Sequence, residues 1–272
     1  METILNSCQD VFQKVIRNLG KNIDFTPKYI NGRYDKHKCP SCGEVLIWED
    51  EQGIEHFEEC NCRRKARFQA KSKRFEKLSI IDREENKNTF QNAVLTTDTE
   101  KDIYERAKKF CDGFEKFKNI KKGMMFYGTT GAGKTYLANC ICNELKAKGY
   151  TVLSFNLSGY LRLLEDNFKT NENIESSMLE AVKNCDLLFI DDVGAEQISR
   201  KNNEGVSWRE EKIFNLIDTR DRAGKPLILT TNFEPETLRR HLENNGINRI
   251  YSRIAGLTSP VQMNFKDRRI EE

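Results

Sequence analysis

Five short apolar runs punctuate the later part of the chain, each leaving into polar or glycine-rich residues. They are Met124–Tyr127, Thr151–Phe155, Leu187–Ile190, Leu227–Thr231 and Val261–Phe265. Runs of this length with polar exits read as buried strands. Helical patterns separate the first four. The clearest is Tyr136–Leu145, where Leu137, Ala138, Ile141 and Leu145 share one face. Strand and helix therefore alternate from Glu100 onward, which predicts an α/β domain with a largely parallel sheet flanked by helices.

The N-terminal part reads differently. Val11, Phe12, Val15, Ile16 and Leu19 follow i, i+3/i+4 spacing, and Gly20 is a natural stop. Ile4 and Leu5 can extend that apolar face, which serves either its own domain or a partner. Farther on, Val45–Trp48 and Ile54–Phe57 flank the polar stretch Glu49–Gly53, a strand–turn–strand pattern.

With 272 residues the chain can hold one large domain or two unequal ones. The pattern suggests the second: 1–66 as a helix and a small module, 67–98 as a basic linker, 99–272 as the α/β domain. No apolar run approaches the roughly 18 residues of a membrane span. The first residues show neither a basic n-region nor an apolar h-region, so a cytoplasmic protein is expected. The net charge of +3 is too small to imply a nucleic-acid partner by itself. Local clustering changes that. Arg63, Arg64, Lys65, Arg67, Lys71, Lys73, Arg74 and Lys77 face a single acid, Glu76. Such a segment suits a phosphate backbone, with Phe68 and Phe75 available to stack on bases. It equally suits a solvated linker helix.

A reducing compartment makes the nine cysteines ligands or core residues before disulfides. Cys39-Pro-Ser-Cys42-Gly43 has the C-x₂-C spacing of a zinc knuckle, with Gly43 where the turn needs a permissive backbone. The hairpin would return the chain to Cys60 and Cys62. Four thiolates then converge as a closed, structural Zn²⁺ site requires, and His37 or His56 is an alternative ligand.

The most specific chemistry lies at 128–135. Gly128, Thr129, Thr130, Gly131, Ala132, Gly133, Lys134 and Thr135 form a complete G-x-x-x-x-G-K-[ST] loop. Its glycines aim backbone N–H groups at phosphate oxygens, Lys134 reaches the β- and γ-phosphates, and the Thr135 hydroxyl ligates Mg²⁺. A strand before it and a helix from Tyr136 after it put the phosphates at a helix N-terminus, where the dipole favours anions. Leu187–Ile190 ends in Asp191 and Asp192. Asp191 is the expected metal carboxylate and Asp192 the residue that polarises the attacking water. Asn232, leaving Leu227–Thr231, is placed to orient that water. Arg249 and Arg253 share a helical face, suited to a transition-state arginine offered to a neighbouring subunit or to surface ion pairs.

These motifs, together with Leu187–Glu196 (Leu-Leu-Phe-Ile-Asp-Asp-Val-Gly-Ala-Glu), Ser207-Trp208, Thr219-Arg220, Lys225-Pro226 and Thr230-Thr-Asn232, resemble the AAA+ ATPases of the DnaC/DnaI helicase-loader family. The related IstB transposition ATPases share the core. The resemblance covers roughly residues 85–272. It implies that Asn232 is the sensor-1 residue, Arg253 the arginine finger with Arg249 beside it, and Arg269 the sensor-2 residue, although Arg268 stands where the family has an aromatic. It further implies a cycle. ATP favours self-association through the nucleotide site and grip on single-stranded DNA. Hydrolysis releases the loader from a DnaB-type hexameric replicative helicase, which the N-terminal region contacts. Two other functions fit the same residues: an IstB-like transposition helper acting on duplex DNA, and a nucleotide-gated adaptor with little turnover.

Overall fold

The computed structural model describes residues 28–80, 87–167, 174–195, 207–243 and 247–268. The helix expected over Val11–Leu19, and Glu196 and Arg269, lie outside them. The chain divides into two compact units, 1–66 and 67–272.

The described part of the first unit is a three-stranded antiparallel sheet in the order β1-β2-β3. Its strands are β1 (Arg33–Lys38), β2 (Val45–Asp50) and β3 (Glu55–Phe57). The expected hairpin is present, with Trp48 opposite His56 and Ile47 opposite Phe57. Asp50 shapes its turn: Oδ1 accepts the N–H groups of Gln52 at 3.0 Å and Ile54 at 2.9 Å. β1 was not legible in the sequence. Arg-Tyr-Asp-Lys-His-Lys has no apolar alternation, and its side chains are mostly exposed. It pairs through its backbone along β2. Among the described residues Cys39, Leu46 and Cys60 are the ones buried in this sheet's core, too little apolar surface to hold these three strands unaided.

Helix α1 (Asn61–Leu78) carries the basic segment. The second unit continues with α2 (Asp98–Asp112), α3 (Phe114–Asn119), β4 (Gly123–Tyr127), α4 (Lys134–Ala147), β5 (Val152–Asn156), α5 (Leu157–Asn167) and α6 (Ile174–Asn184). β6 (Leu187–Asp191), α7 (Trp208–Ala223), β7 (Leu227–Thr231), α8 (Pro235–His241), α9 (Arg249–Leu257) and β8 (Thr258–Gln262) complete it. The five strands form one parallel sheet in the order β5-β6-β7-β4-β8.

Both faces of the sheet are covered, so its central strands are apolar throughout. Leu188, Ile190, Leu227 and Leu229 point into one core with α5 to α9. Leu187, Phe189 and Ile228 point into the other with α2 to α4. The face expected of the helix after the phosphate loop is the buried one: Leu137, Ala138, Ile141 and Leu145 are inaccessible to solvent.

Two expectations need correction. The last strand runs Thr258–Gln262 and not Val261–Phe265. It pairs with β4 from Gly123↔Thr258 to Tyr127↔Gln262, and it must end where β4 turns into its loop. Pro260 fits because this is an edge strand. Phe75 is not available for base stacking. It is 3% exposed and packs in the core shared with Phe155 and Tyr160.

Candidate functional site

The parallel order brings the strand C-termini to one edge, where open α/β sheets bind ligands. β4 leaves into the loop at 128–133, β6 ends at Asp191, and β7 ends at Thr231 beside Asn232. An open pocket of about 520 Å³ lies between them. Thr130 to Tyr136 form its floor, and Asp191, Asp192, Thr230 and Asn232 form one wall. Asn92, Val94 and Arg268 form the other.

The loop holds its shape through positive φ at Gly128 (132°) and Gly131 (76°). A Cβ at either would collide with the strap 263–268 crossing the loop. That strap takes the Thr129 N–H on Asn264 Oδ1 at 3.2 Å and the Thr129 hydroxyl on the Phe265 carbonyl at 3.0 Å. Gly128 and Thr129 therefore face the strap, Gly131 lies between strap and pocket, and Thr130 and Ala132 to Thr135 line the pocket.

Lys134 is buried. Its ammonium donates to the carbonyls of Gly128 (3.0 Å) and Thr129 (2.7 Å) and to Asn232 Oδ1 (2.8 Å). Asn232 Nδ2 reaches Asp192 Oδ1 at 3.4 Å. The loop lysine, the β7 asparagine and the second β6 acid thus form one chain of contacts across the pocket. Thr135 Oγ1 donates to Asp191 Oδ1 at 2.9 Å, so the two groups expected to hold Mg²⁺ are already side by side. Burial, working against hydroxyl donors from Thr230 and Thr135, lifts the Asp191 carboxyl above its ordinary value. A hard divalent cation beside these oxygens would reverse that tendency.

Thr230 had no expected role. Its hydroxyl donates to Asp191 at 2.5 Å and accepts the Asp192 N–H at 2.8 Å. It holds both acids, with Asp192 in the left-handed region at φ 58°. The available signal was a threonine inside the apolar strand Leu-Ile-Leu-Thr-Thr. Residues Asn92 and Val94 carried no sequence signal, because they reach the pocket from an irregular segment.

Neither Arg249 nor Arg253 lines this pocket. Arg253 Nε donates to Asp218 Oδ1 at 2.9 Å, and Arg249 stacks over the Phe214 ring at 4.3 Å. Both lie on α9, against α7.

In the first unit the sulfurs of Cys39, Cys42, Cys60 and Cys62 all lie within 4.8 Å of one another. Tetrahedral Zn²⁺ with Zn–S near 2.3 Å needs sulfurs about 3.8 Å apart, so the four residues fit the ion. Backbone N–H groups of Ser41 and Cys42 lower the Cys39 thiol to about 6, favouring the thiolate a metal requires. His56 is committed elsewhere: Nε2 meets Asp50 Oδ2 at 2.9 Å, and the ring stacks on Trp48 at 4.1 Å. No histidine joins the cluster among the described residues.

Known proteins resemble this chain in sequence and fold. The family model described as "ATPase family associated with various cellular activities (AAA)" matches residues 124–254. The replicative helicase loader DnaI of Bacillus subtilis (strain 168) is 27% identical over 225 residues, covering 79% of this chain and 69% of that one. The replicative helicase loader DnaC of Escherichia coli (strain K12) is 26% identical over 207 residues, covering 76% and 79%. The chain is similar to AAA-family ATPases and to helicase loaders of the DnaC/DnaI type. A crystal structure of DnaI superposes with a TM-score of 0.58 and 25% identity, over 72% of this chain and all of that one. The crystal structure of the DnaC helicase loader gives 0.57 at 21% identity, over 67% of this chain and all of that one; it bears on the fold alone. The AAA match begins in β4 and ends in α9, so it contains the phosphate loop, both β6 acids and Asn232.

Proposed function

We propose that this protein is an ATP-dependent loader that delivers a hexameric replicative helicase onto single-stranded DNA. The observation that carries the reading is the pocket itself: a complete phosphate loop with Thr135 against Asp191, and Lys134 joined through Asn232 to Asp192. It sits in a chain whose named relatives are helicase loaders across three-quarters of its length. The transposition-helper alternative is not favoured.

In this reading the loop N–H groups and Lys134 hold the ATP phosphates, and Tyr136, Asn92 and Val94 border the nucleoside end. Thr135 and Asp191 would hold Mg²⁺, which supplies charge neutralisation at the β- and γ-phosphates. Asp192 takes up the developing proton of the attacking water, and Asn232 fixes where that water stands. The γ-phosphate carries its charge toward the open side of the pocket, where Arg253 of a neighbouring copy would meet it. Hydrolysis is therefore linked to self-association through the site. The cysteine cluster would hold Zn²⁺ as a structural crosslink of the helicase-contacting unit. The exposed cations of α1 contribute phosphate-backbone contacts to DNA.

Capture of the replicative helicase of the same cell by the purified chain tests the reading. ATP-modulated binding, with the modulation lost in Lys134→Ala, is expected. No capture with or without ATP would exclude it.

A further inference from the structure

One buried carboxylate ties three parts of the pocket frame together. Glu100 lies in the first turn of α2 and is 2% exposed. Its Oε2 accepts the backbone N–H groups of Thr96 (2.6 Å) and Thr97 (3.0 Å) and the Thr96 hydroxyl (2.9 Å). Its Oε1 pairs with Arg268 Nη2. The other arm of Arg268, Nη1, donates to the Val94 carbonyl at 2.9 Å, and the Arg268 backbone N–H reaches Gly131 O at 3.3 Å. Val94 and Arg268 both line the pocket.

The capping box of α2 does not by itself call for this arrangement. Thr97 caps by accepting the Glu100 N–H at 3.2 Å, and the reciprocal bond needs only one carboxylate oxygen. The second oxygen is given to Arg268. The segment is anchored at its other end as well: Asn143 Nδ2 donates to Asn88 O at 2.9 Å and the Tyr136 hydroxyl to Thr89 O at 3.3 Å. The stretch 88–97 is thus tied to α4 at one end and to Glu100 and Arg268 at the other. Its middle is the pocket wall at Asn92 and Val94.

We propose that Glu100 is a positioning residue for the nucleotide: through Arg268 it fixes the pocket wall against the phosphate loop. This rests on the nucleotide reading of the pocket. A guanidinium held by two acceptors keeps one direction, whereas a released one must be ordered anew each time ligand binds.

Glu100→Gln separates this role from capping. The glutamine carbonyl oxygen still accepts from Thr96 and Thr97, but the amide N–H₂ turned toward Arg268 cannot accept. Affinity for a fluorescent ATP analogue, measured on the full chain well below its melting temperature, is expected to fall about tenfold, the loss of one charge-assisted hydrogen bond. Arg268→Lys, which keeps the charge and loses the arm to Val94, should fall similarly. The double variant should bind no worse than Arg268→Lys alone, because both changes break one link. Thr97→Ala serves as the structural control, lowering the melting temperature with affinity unchanged. Unaltered affinity in Glu100→Gln, or affinity losses in Glu100→Gln and Thr97→Ala that merely track their melting temperatures, would overturn the positioning role. Absence of binding by the wild-type chain would instead overturn the nucleotide reading, and this role with it.

Discussion

Thr230 shows how much one hydroxyl can hold. It donates to Asp191, accepts from Asp192 N–H, and is itself buried. Thr230→Val keeps the shape and removes both bonds, leaving the half-buried Asp191 carboxylate short of a donor. Stability should drop by about 1–3 kcal/mol in urea unfolding, with Mg²⁺-dependent nucleotide affinity falling alongside. Lys134 makes the opposite case, a cation whose value lies in the ligand. Lys134→Ala should weaken ATP binding by at least about tenfold in a titration, since a phosphate contact of full charge is lost. Asp192→Asn should leave binding intact and cut turnover by roughly 10²–10³, the contribution of a positioned base. Tight binding with no turnover in the wild-type chain would favour the adaptor function over an ATPase cycle.

Among the secondary-structure elements, those that were legible are the ones whose burial imposes a pattern. β6 and β7 are apolar on both faces because helices cover both, and α4 shows its inward stripe. β1 escaped notice because its ladder bonds are made by backbone, which every residue carries. The shift of β8 has the same origin: Val-Gln-Met-Asn-Phe alternates like a strand, but pairing stops where β4 stops. α1 illustrates a composition that misleads. Its charges suit a DNA-binding face with both aromatics as stacking groups, yet Phe75 belongs to the core. Phe75→Ala should cost about 3–5 kcal/mol by chemical denaturation, as large-to-small core changes do. Reversing Arg63, Arg64 and Lys65, all exposed, should instead leave stability near normal. It should weaken single-stranded DNA binding and flatten its salt dependence.

Among the described residues, the large α/β unit has two apolar cores of its own and the small sheet has almost none. The small sheet therefore depends on its cysteines in a way the large unit does not. Zinc analysis of the purified chain should find about one equivalent. Stripping it with a strong chelator should abolish helicase capture while leaving ATP affinity unchanged, because the nucleotide pocket is built within residues 67–272. Retention of helicase capture without the metal would remove the cluster from that interface.

Much of the chemistry could be read without coordinates. The phosphate loop, the acids closing β6, Asn232 and the four cysteines are local patterns, and each is specified by residue type and spacing over a few positions. The parallel sheet followed from the alternation of strand and helix, since burial on both faces leaves unbroken apolar runs between helical stripes. Tertiary structure alone decided what meets across long separations. Arg268 reaches Glu100 and Val94, Thr230 spans to Asp191, and the strap 263–268 crosses the loop at 128–131. Those contacts join residues 39 to 174 positions apart. No spacing rule encodes them, because they arise from the order in which strands pair and from where each strand must end.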